Sequence, residues 1–306
     1  MTDEALVRLA TIPLFDGVDF NSVTTARLGG LTNRNYKIES PLGNFVLRIA
    51  GEGTGDYIDR AAESHNARVA ARAGVNAEVM FFDADDGAML CRYVEGSVTL
   101  DEAGFKDLGA VARAGAAFRE LHDSPQPFEG RFELFHMIDD YLGHIARLGA
   151  ALPDGYDDVR QEADAVRDAL GRHDLPSAPC HCDPLAENFL DTGTRIFIID
   201  YEYAGNNDPM WDLGDLIVEA AFDASQEKTL LAAYFGGEPP RFAVGRMVMY
   251  KAMCDLLWTL WGVMQFANDN PAEDFWAYAT TRLARCRALM ASPDFPTHLD
   301  VVKAGS

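Results

Sequence analysis

Short apolar and β-branched runs separated by tight turns occupy the first third of the chain. They predict strands over residues 23–28, 36–38, 45–49, 77–82 and 88–94. Helices are predicted over residues 3–10 and 58–73, the second from an alanine-rich composition in which Ala61, His65 and Val69 share one face. Because the strands follow one another through tight turns, this part is predicted to form a small, mostly antiparallel sheet.

From residue 101 onwards, apolar residues recur three and four positions apart, which is the helical period. The helices are predicted over residues 101–122, 136–149, 157–171, 213–234, 241–268 and 272–290, followed by an irregular tail after Pro293. Strands in the first part and helices in the second predict an α+β fold with two lobes. We place the N-terminal lobe at residues 1–95 and the C-terminal lobe at residues 96–306, and the chain is long enough for both.

The acidic balance of the chain narrows the class of partner. The formal net charge of −22 at pH 7 offers little to neutralise a run of phosphates, which argues against nucleic acid as a partner. An acidic surface concentrates cations near the protein, although solubility alone explains such a charge equally well. A cationic substrate fits this balance better than nucleic acid does.

Cysteine usage predicts a cytoplasmic protein. The five cysteines include no C-x-x-C pair and leave an odd count, which indicates reduced thiols and no disulfide framework. Zinc is not expected at Cys180 and Cys182, because no second cluster follows at zinc spacing. The first residues lack the apolar core of a signal peptide, and no run approaches the roughly eighteen apolar residues of a membrane span.

The candidate chemistry lies in the middle of the chain, where His181, Asp183 and Asn188 have the spacing H-x-D-x-x-x-x-N. The kinase catalytic loop has this spacing, with an Asp that orients the attacking hydroxyl and an Asn that holds Mg²⁺. A β-branched run then ends on Asp200, where a strand end would offer a second magnesium ligand. Each residue alone could be a turn or cap residue, but together they predict phosphoryl transfer from ATP with Asp183 as base.

With these motifs the chain resembles the choline/ethanolamine kinase branch of the aminoglycoside phosphotransferase-like families. The resemblance covers roughly residues 20–290, and its matching segments are residues 29–36, 47–49, 181–183, 188–190, 199–203, 211–215 and 258–261. It implies a two-lobed, protein-kinase-like fold that binds ATP and Mg²⁺. Asn188 and Asp200 are then the metal ligands, and His181 belongs to the catalytic loop with Asp183.

The resemblance also implies a nucleotide site in the small lobe. Glycines at the first turn would let backbone N–H groups approach a phosphate. Arg48 stands where protein kinases carry a lysine, with Glu63 as its partner, and residues 91–94 form the hinge that receives adenine. The residues expected at this site are Gly29, Gly30, Asn33, Arg48, Glu63, Arg92 and Val94.

The identity of the acceptor depends on Trp258 and Trp261, which lie three apart and so share a helix face. Core packing would explain such a pair, but the resemblance implies a box around a quaternary ammonium, since Trp faces attract such cations. Glu202 and Tyr203 are expected to complete the substrate site. This favours choline over ethanolamine. Thiamine, an aminoglycoside or another amino alcohol stays open as the acceptor, and an inactive pseudokinase stays open as the function.

Five further residues are relevant to this site. Trp276 or Tyr250 could form another wall, and Asp208 could supply negative charge beside the ammonium. Asp212 is expected to hydrogen-bond the catalytic loop. Asp215 stands where eukaryotic choline kinases commonly have Asn. The partners expected are ATP and a small cationic alcohol, and the sequence leaves the oligomeric state open, a homodimer included.

Overall fold

The structure is a computed structural model, and it describes residues 3–29, 33–51 and 58–305. Its N-terminal part is built on one antiparallel sheet with the strand order β1-β2-β3-β5-β4. The strands are β1 Thr24–Arg27, β2 Arg34–Ser40, β3 Gly43–Ile49, β4 Val79–Phe82 and β5 Met89–Arg92. Helices α1 Glu4–Leu9 and α2 Arg60–Arg72 accompany the sheet, so the predicted antiparallel lobe is confirmed.

Alternation along the strands buries one face of this sheet. Phe45 and Leu47 on β3 point to the same side as Ile38 on β2, and they pack with Leu9 of α1 in a small apolar core. The β2–β3 hairpin closes where Ser40 pairs with Gly43, whose φ of +112° is accessible to glycine at little cost. The hairpin therefore fixes the register that carries Arg48 into the interior.

The helix predicted over residues 58–73 is confirmed as α2, and a charged and an amide side chain lie on its buried face. Ala61 is exposed and His65 is partly exposed, while Glu63, Asn66 and Ala70 are buried. The helix was predicted from the spacing of its residues. It turns the charged side chain of Glu63 and the amide side chain of Asn66 inward, because both have partners there. Of the three residues whose spacing predicted the helix, Val69 is buried, Ala61 is exposed and His65 is partly exposed.

The C-terminal part is predominantly helical. Its helices are α3 Leu108–His122, α4 Leu134–Leu148, α5 Tyr156–Leu170, α6 Met210–Glu219, α7 Ala224–Phe235, α8 Arg241–Ala267, α9 Phe275–Met290 and α10 Phe295–Ala304. Helix α8 is the centre of this lobe and packs against α4, α6, α9 and α10. The α+β layering is confirmed, and the boundary at residues 95 and 96 stays a prediction.

The C-terminal part also contains two short sheets. Strands β6 Val98–Thr99, β8 Phe189–Asp191 and β9 Ile196–Ile198 pair antiparallel in the order β6-β8-β9. Strands β7 Ala178–Cys180 and β10 Gly205–Asn207 form the other sheet. The segments that join these strands bring His181, Asp183, Asn188 and Asp200 to one region.

Three predictions about helix limits were wrong. Helix α3 begins at Leu108, because Asp107 caps it by accepting from the Gly109 amide. The helix predicted over residues 213–234 is divided into α6 and α7 around Ala221, which has a φ of +48°. The tail after Pro293 forms α10, which starts with a proline in its first turn and buries Val302. Among the residues described, no helix is both long and apolar enough to cross a membrane.

Candidate active site

The catalytic loop follows β7, and the first turn of α6 holds its backbone. Asp212 accepts hydrogen bonds from the amides of His181 at 2.7 Å and Cys182 at 2.8 Å, and Trp211 Nε1 donates to the Cys182 carbonyl at 3.1 Å. Cys182 has a φ of +68°, which is unfavourable for a residue with a β-carbon. The expected contact of Asp212 is thus present, and it holds a strained peptide directly before Asp183.

Hydrogen bonds also tie the loop to the end of β9. His181 Nε2 lies 2.8 Å from the Ile199 carbonyl, and the Ile199 amide donates to the Asn188 carbonyl at 2.9 Å. Asn188 Nδ2 donates to the carbonyl of Asp183 at 3.1 Å, so its Oδ1 is the side-chain atom suited to a metal. Because Asp200 directly follows Ile199, these bonds bring all three predicted kinase-motif side chains into one region.

Arg48 joins the small lobe to Asp200. Its guanidinium pairs with Glu63 and lies 3.3 Å from Asp200, and Nη2 donates to the Gly87 carbonyl at 3.0 Å. Arg48 is 3% exposed and Glu63 is 2% exposed, so neither is a surface charge. Burial alone would lower the pKa of Arg48, but Glu63 and Asp200 outweigh it and raise that pKa, so the guanidinium stays charged.

The aromatic residues predicted for the acceptor form a continuous row. The Tyr203 ring lies 5.6 Å from Trp258, and Trp258 lies 6.4 Å from Trp261 with the two rings at 90°. The row continues to Phe275 at 5.4 Å and Tyr278 at 5.7 Å, both against Trp261. Trp258 is buried and Trp261 is partly exposed. Edge-to-face contacts of this kind hold the rings in place.

Comparison with known proteins agrees with this geometry. Residues 23–244 match the family described as the phosphotransferase enzyme family. A crystal structure of a choline/ethanolamine kinase family protein from Mesorhizobium loti is 53% identical, has a TM-score of 0.90 and aligns over 99% of each chain. The chain belongs to the choline/ethanolamine kinase family.

More distant members of this kinase family include two LicA proteins. Choline kinase LicA from Streptococcus pneumoniae is 26% identical, with a TM-score of 0.78 over 94% of this chain and 99% of LicA. Protein LicA from Haemophilus influenzae is 29% identical over 86% of this chain and 78% of its own length. The chain is therefore a small-molecule kinase with the predicted fold, and a kinase of this family uses ATP.

Glu202 lies close to the charged residues around Arg48. Its Oε2 is 3.3 Å from Asn33 Nδ2 and 3.6 Å from Arg60, and its carboxylate lies within 4.8 Å of those of Glu63 and Asp200. Burial, and then the charge of Asp200, raise the pKa of Glu202 to about 7. The assignment of Glu202 to the acceptor stays a prediction, and its contacts group it with the nucleotide and metal residues.

An acidic group formed by Asp215 and Glu219 lies next to Asp183, and it was not predicted from the sequence. Glu219 accepts from Arg282 at 2.6 and 2.7 Å, and the Cys254 thiol donates to Asp215 at 3.0 Å. Removal from water, then the charge of Glu219, raises the pKa of Asp183 well above its usual value. The spacing of Asp215 and Glu219, one turn apart on α6, is a signal that could have indicated an acidic helix face. Arg282 comes from a distant helix and gave no such signal.

The other residues expected near the acceptor have contacts outside the aromatic row. Tyr250 packs against Trp211 at 5.8 Å, and Trp276 packs against Phe266 at 5.2 Å. Asp208 is buried and pairs with Arg246 at 3.0 Å. Each of these three residues thus has a partner outside the aromatic row, and their place at the acceptor site stays a prediction.

The phosphate-covering loop and the hinge stay predictions. Gly30 lies outside the described residues, and an added Cβ at Gly29 would meet no atom of the described residues within 4 Å. The Arg92 side chain lies over the Phe45 ring at 4.9 Å, and its amide donates to Glu78. The Val94 carbonyl accepts from Ser97.

Proposed function

We propose that this kinase transfers the γ-phosphoryl group of ATP, with Mg²⁺, to the hydroxyl of a small cationic alcohol, and that choline is the acceptor. The observation that carries the proposal is the aromatic row from Tyr203 to Trp261, which leads through Tyr278 to the acidic group beside Asp183. Arg282 makes this connection, since it lies 4.5 Å over the Tyr278 ring and pairs with Glu219.

The residues present fit a magnesium ion. Asn188 Oδ1 and the Asp200 carboxylate are oxygen donors, which Mg²⁺ prefers, and Glu202 and Glu63 add carboxylate oxygens close by. When bound, the ion would neutralise charge on the β- and γ-phosphates. Arg48 would contact the phosphates through its planar fork, with Glu63 holding the guanidinium in place. The intact set of Asp183, Asn188 and Asp200 favours an active enzyme over a pseudokinase.

Asp183 would orient the acceptor. In its ionised form, the carboxylate accepts a hydrogen bond from the attacking hydroxyl and directs the hydroxyl oxygen to the phosphorus. The raised pKa of Asp183 means that this form is lost earlier than usual as the pH falls. Asp212 and Trp211 hold the peptide before Asp183, so the carboxylate is positioned before the acceptor arrives.

Two features favour a quaternary ammonium over a primary one. Ring faces attract a trimethylammonium group, at roughly 0.5–2 kcal/mol for each ring. A buried primary ammonium would instead require acceptors for three N–H groups. Among the carboxylates near the row, both oxygens of Glu219 accept from Arg282 and Asp255 pairs with Arg285, while Asp215 Oδ2 has no hydrogen-bond partner among the described residues. All five cysteines are free thiols and buried, which supports a reducing, cytoplasmic compartment.

A coupled ADP-release assay tests the acceptor. Wild type is measured over choline, ethanolamine, thiamine and aminoglycosides, with Trp258→Ala and Trp261→Ala as variants. We expect choline to give the highest kcat/KM, and both variants to raise the KM for choline by about tenfold or more with little change in the KM for ATP. An unchanged KM for choline would return both tryptophans to core packing, and a higher kcat/KM for another alcohol would replace choline as acceptor.

A further inference from the structure

A buried carboxylate near the aromatic row has one oxygen without a partner. Asp215 on α6 is 0% exposed, and its Oδ1 accepts from the Cys254 thiol of α8 at 3.0 Å. Among the described residues no group donates a hydrogen bond to its Oδ2, although this oxygen is buried from water. Buried carboxylate oxygens are normally hydrogen-bonded, so a donor is missing at this position.

The neighbours of Asp215 link it to the row and to the catalytic carboxylate. Cys254 lies one turn before Trp258 on α8, and its thiol is also 3.7 Å from Glu219 Oε1. The charge of Asp183 is among the causes that raise the pKa of Asp215. Asp215 therefore lies near both the rings proposed to hold the ammonium and the carboxylate proposed to orient the hydroxyl.

The free oxygen of Asp215 is suited to a cationic N–H donor. Both oxygens of Glu219 accept from Arg282, so Asp215 Oδ2 is the one oxygen of these two carboxylates without a partner among the described residues. Carboxylates make their strongest hydrogen bonds to charged donors. Removal from water, and then the charge of Glu219, raise the pKa of Asp215 well above its usual value. A cation beside Asp215 favours the ionised form, so the two would stabilise each other.

We propose that Asp215 is a specificity-determining residue of the acceptor site, whose free oxygen accepts from a single ammonium N–H, so that the kinase takes a dimethylamino alcohol as well as choline. A tertiary ammonium offers one N–H to this oxygen and keeps its methyl groups for the aromatic rings. A primary ammonium would leave two further N–H groups to be satisfied in a buried site. The inference rests on the proposed function, which locates the ammonium at the row.

The kinetic test compares N,N-dimethylethanolamine with choline in wild type and in Asp215→Asn, which keeps the shape of the side chain and removes its charge. In wild type we expect kcat/KM for the two alcohols to agree within about threefold. In Asp215→Asn, kcat/KM for N,N-dimethylethanolamine should fall about 10- to 100-fold more than that for choline, because only the first loses a charged hydrogen bond. Asp191→Asn removes a largely buried carboxylate that pairs with Arg113 of α3, and it should keep the wild-type ratio.

A binding measurement does not depend on phosphoryl transfer. Trimethylammonium has one N–H, tetramethylammonium has none, and neither has a hydroxyl to phosphorylate. In calorimetric titrations, the Kd of trimethylammonium should rise about tenfold or more in Asp215→Asn, while that of tetramethylammonium changes by less than about threefold. If wild type phosphorylates neither alcohol, the proposed function fails, and these two ions still decide the role of Asp215.

The ratio between the paired ligands separates a specificity role from a structural one. An equal loss for both alcohols, an equal loss for both ions, or no loss at all in Asp215→Asn would overturn the inference. A wild-type enzyme that phosphorylates choline but not N,N-dimethylethanolamine would also overturn it and would leave the proposed function standing. If Asp215→Asn does not fold, Asp215→Ser removes the same charge with a smaller side chain and carries the same expectations.

Discussion

Replacing Arg48 by methionine should destabilise the nucleotide-free protein far more than the same change at a surface arginine. Arg48 and Arg60 face the carboxylates of Glu63, Asp200 and Glu202, so this buried group changes from a formal charge of −1 to −2 when Arg48 is removed. Breaking a buried ion pair typically costs about 3–5 kcal/mol, because the remaining charge loses its partner away from water. Glu63 keeps Arg60 at 2.6 Å, so we expect about 3 kcal/mol, the lower end of that range.

Arg195 provides a matched control. Like Arg48, it donates to a glycine carbonyl, pairs with a carboxylate and lies over a phenylalanine ring. Its side chain is 47% exposed, whereas that of Arg48 is 4% exposed. A surface pair of this kind contributes about 0–1 kcal/mol, so Arg195→Met should cost no more than about 1 kcal/mol.

Urea unfolding of both variants, with and without Mg²⁺, measures the difference. Magnesium should recover more stability in Arg48→Met than in wild type, because the ion binds a folded group with one more uncompensated negative charge. If Arg48→Met and Arg195→Met lose the same free energy of unfolding, the buried charge group does not stabilise the fold as argued. A magnesium effect equal in Arg48→Met and wild type would contradict the assignment of this group as the metal site.

Two further predictions concern α6 and α7. Glu219→Gln removes a charge that raises the pKa of Asp183, so the pH at which kcat falls on the acid side should move lower. Glu227→Gln is the control, because the Glu227 carboxylate of α7 pairs with Lys251 of α8. An unmoved or higher acid limit in Glu219→Gln would refute the coupling. Asp223→Ala removes the N-cap of α7 and should lower the free energy of unfolding by about 1 kcal/mol, measured in urea; an unchanged value would show that the capping bonds are not needed.

Short-range spacing predicted the parts of the site that lie close together in sequence. Asp183 and Asn188 lie on one loop, and Asp200 lies two residues beyond β9, the strand that pairs with β8 directly after that loop, so their proximity follows from local geometry. The partnership of Arg48 with Glu63 came from the family resemblance, and the structure confirms it. These contacts depend on a few adjacent elements.

The contacts that were not predicted join residues that are far apart in the sequence. Arg282 reaches Glu219 across the packing of helices, and nothing near either residue in the sequence indicates the pair. The contacts of Glu202 with Asn33 and Arg60 likewise arise only when the two lobes meet. Helix α10 is short, and its packing on α8 and α5 supports it more than any periodicity of its own.

Direct detection of the phosphorylated alcohol tests the central claim. ³¹P NMR of a reaction with ATP, Mg²⁺ and choline should show O-phosphocholine formed in equal amount to ADP, and Asp183→Asn should bind nucleotide but form neither product. ADP released without a phosphate ester, or an Asp183→Asn protein that forms the ester at the wild-type rate, would contradict the account.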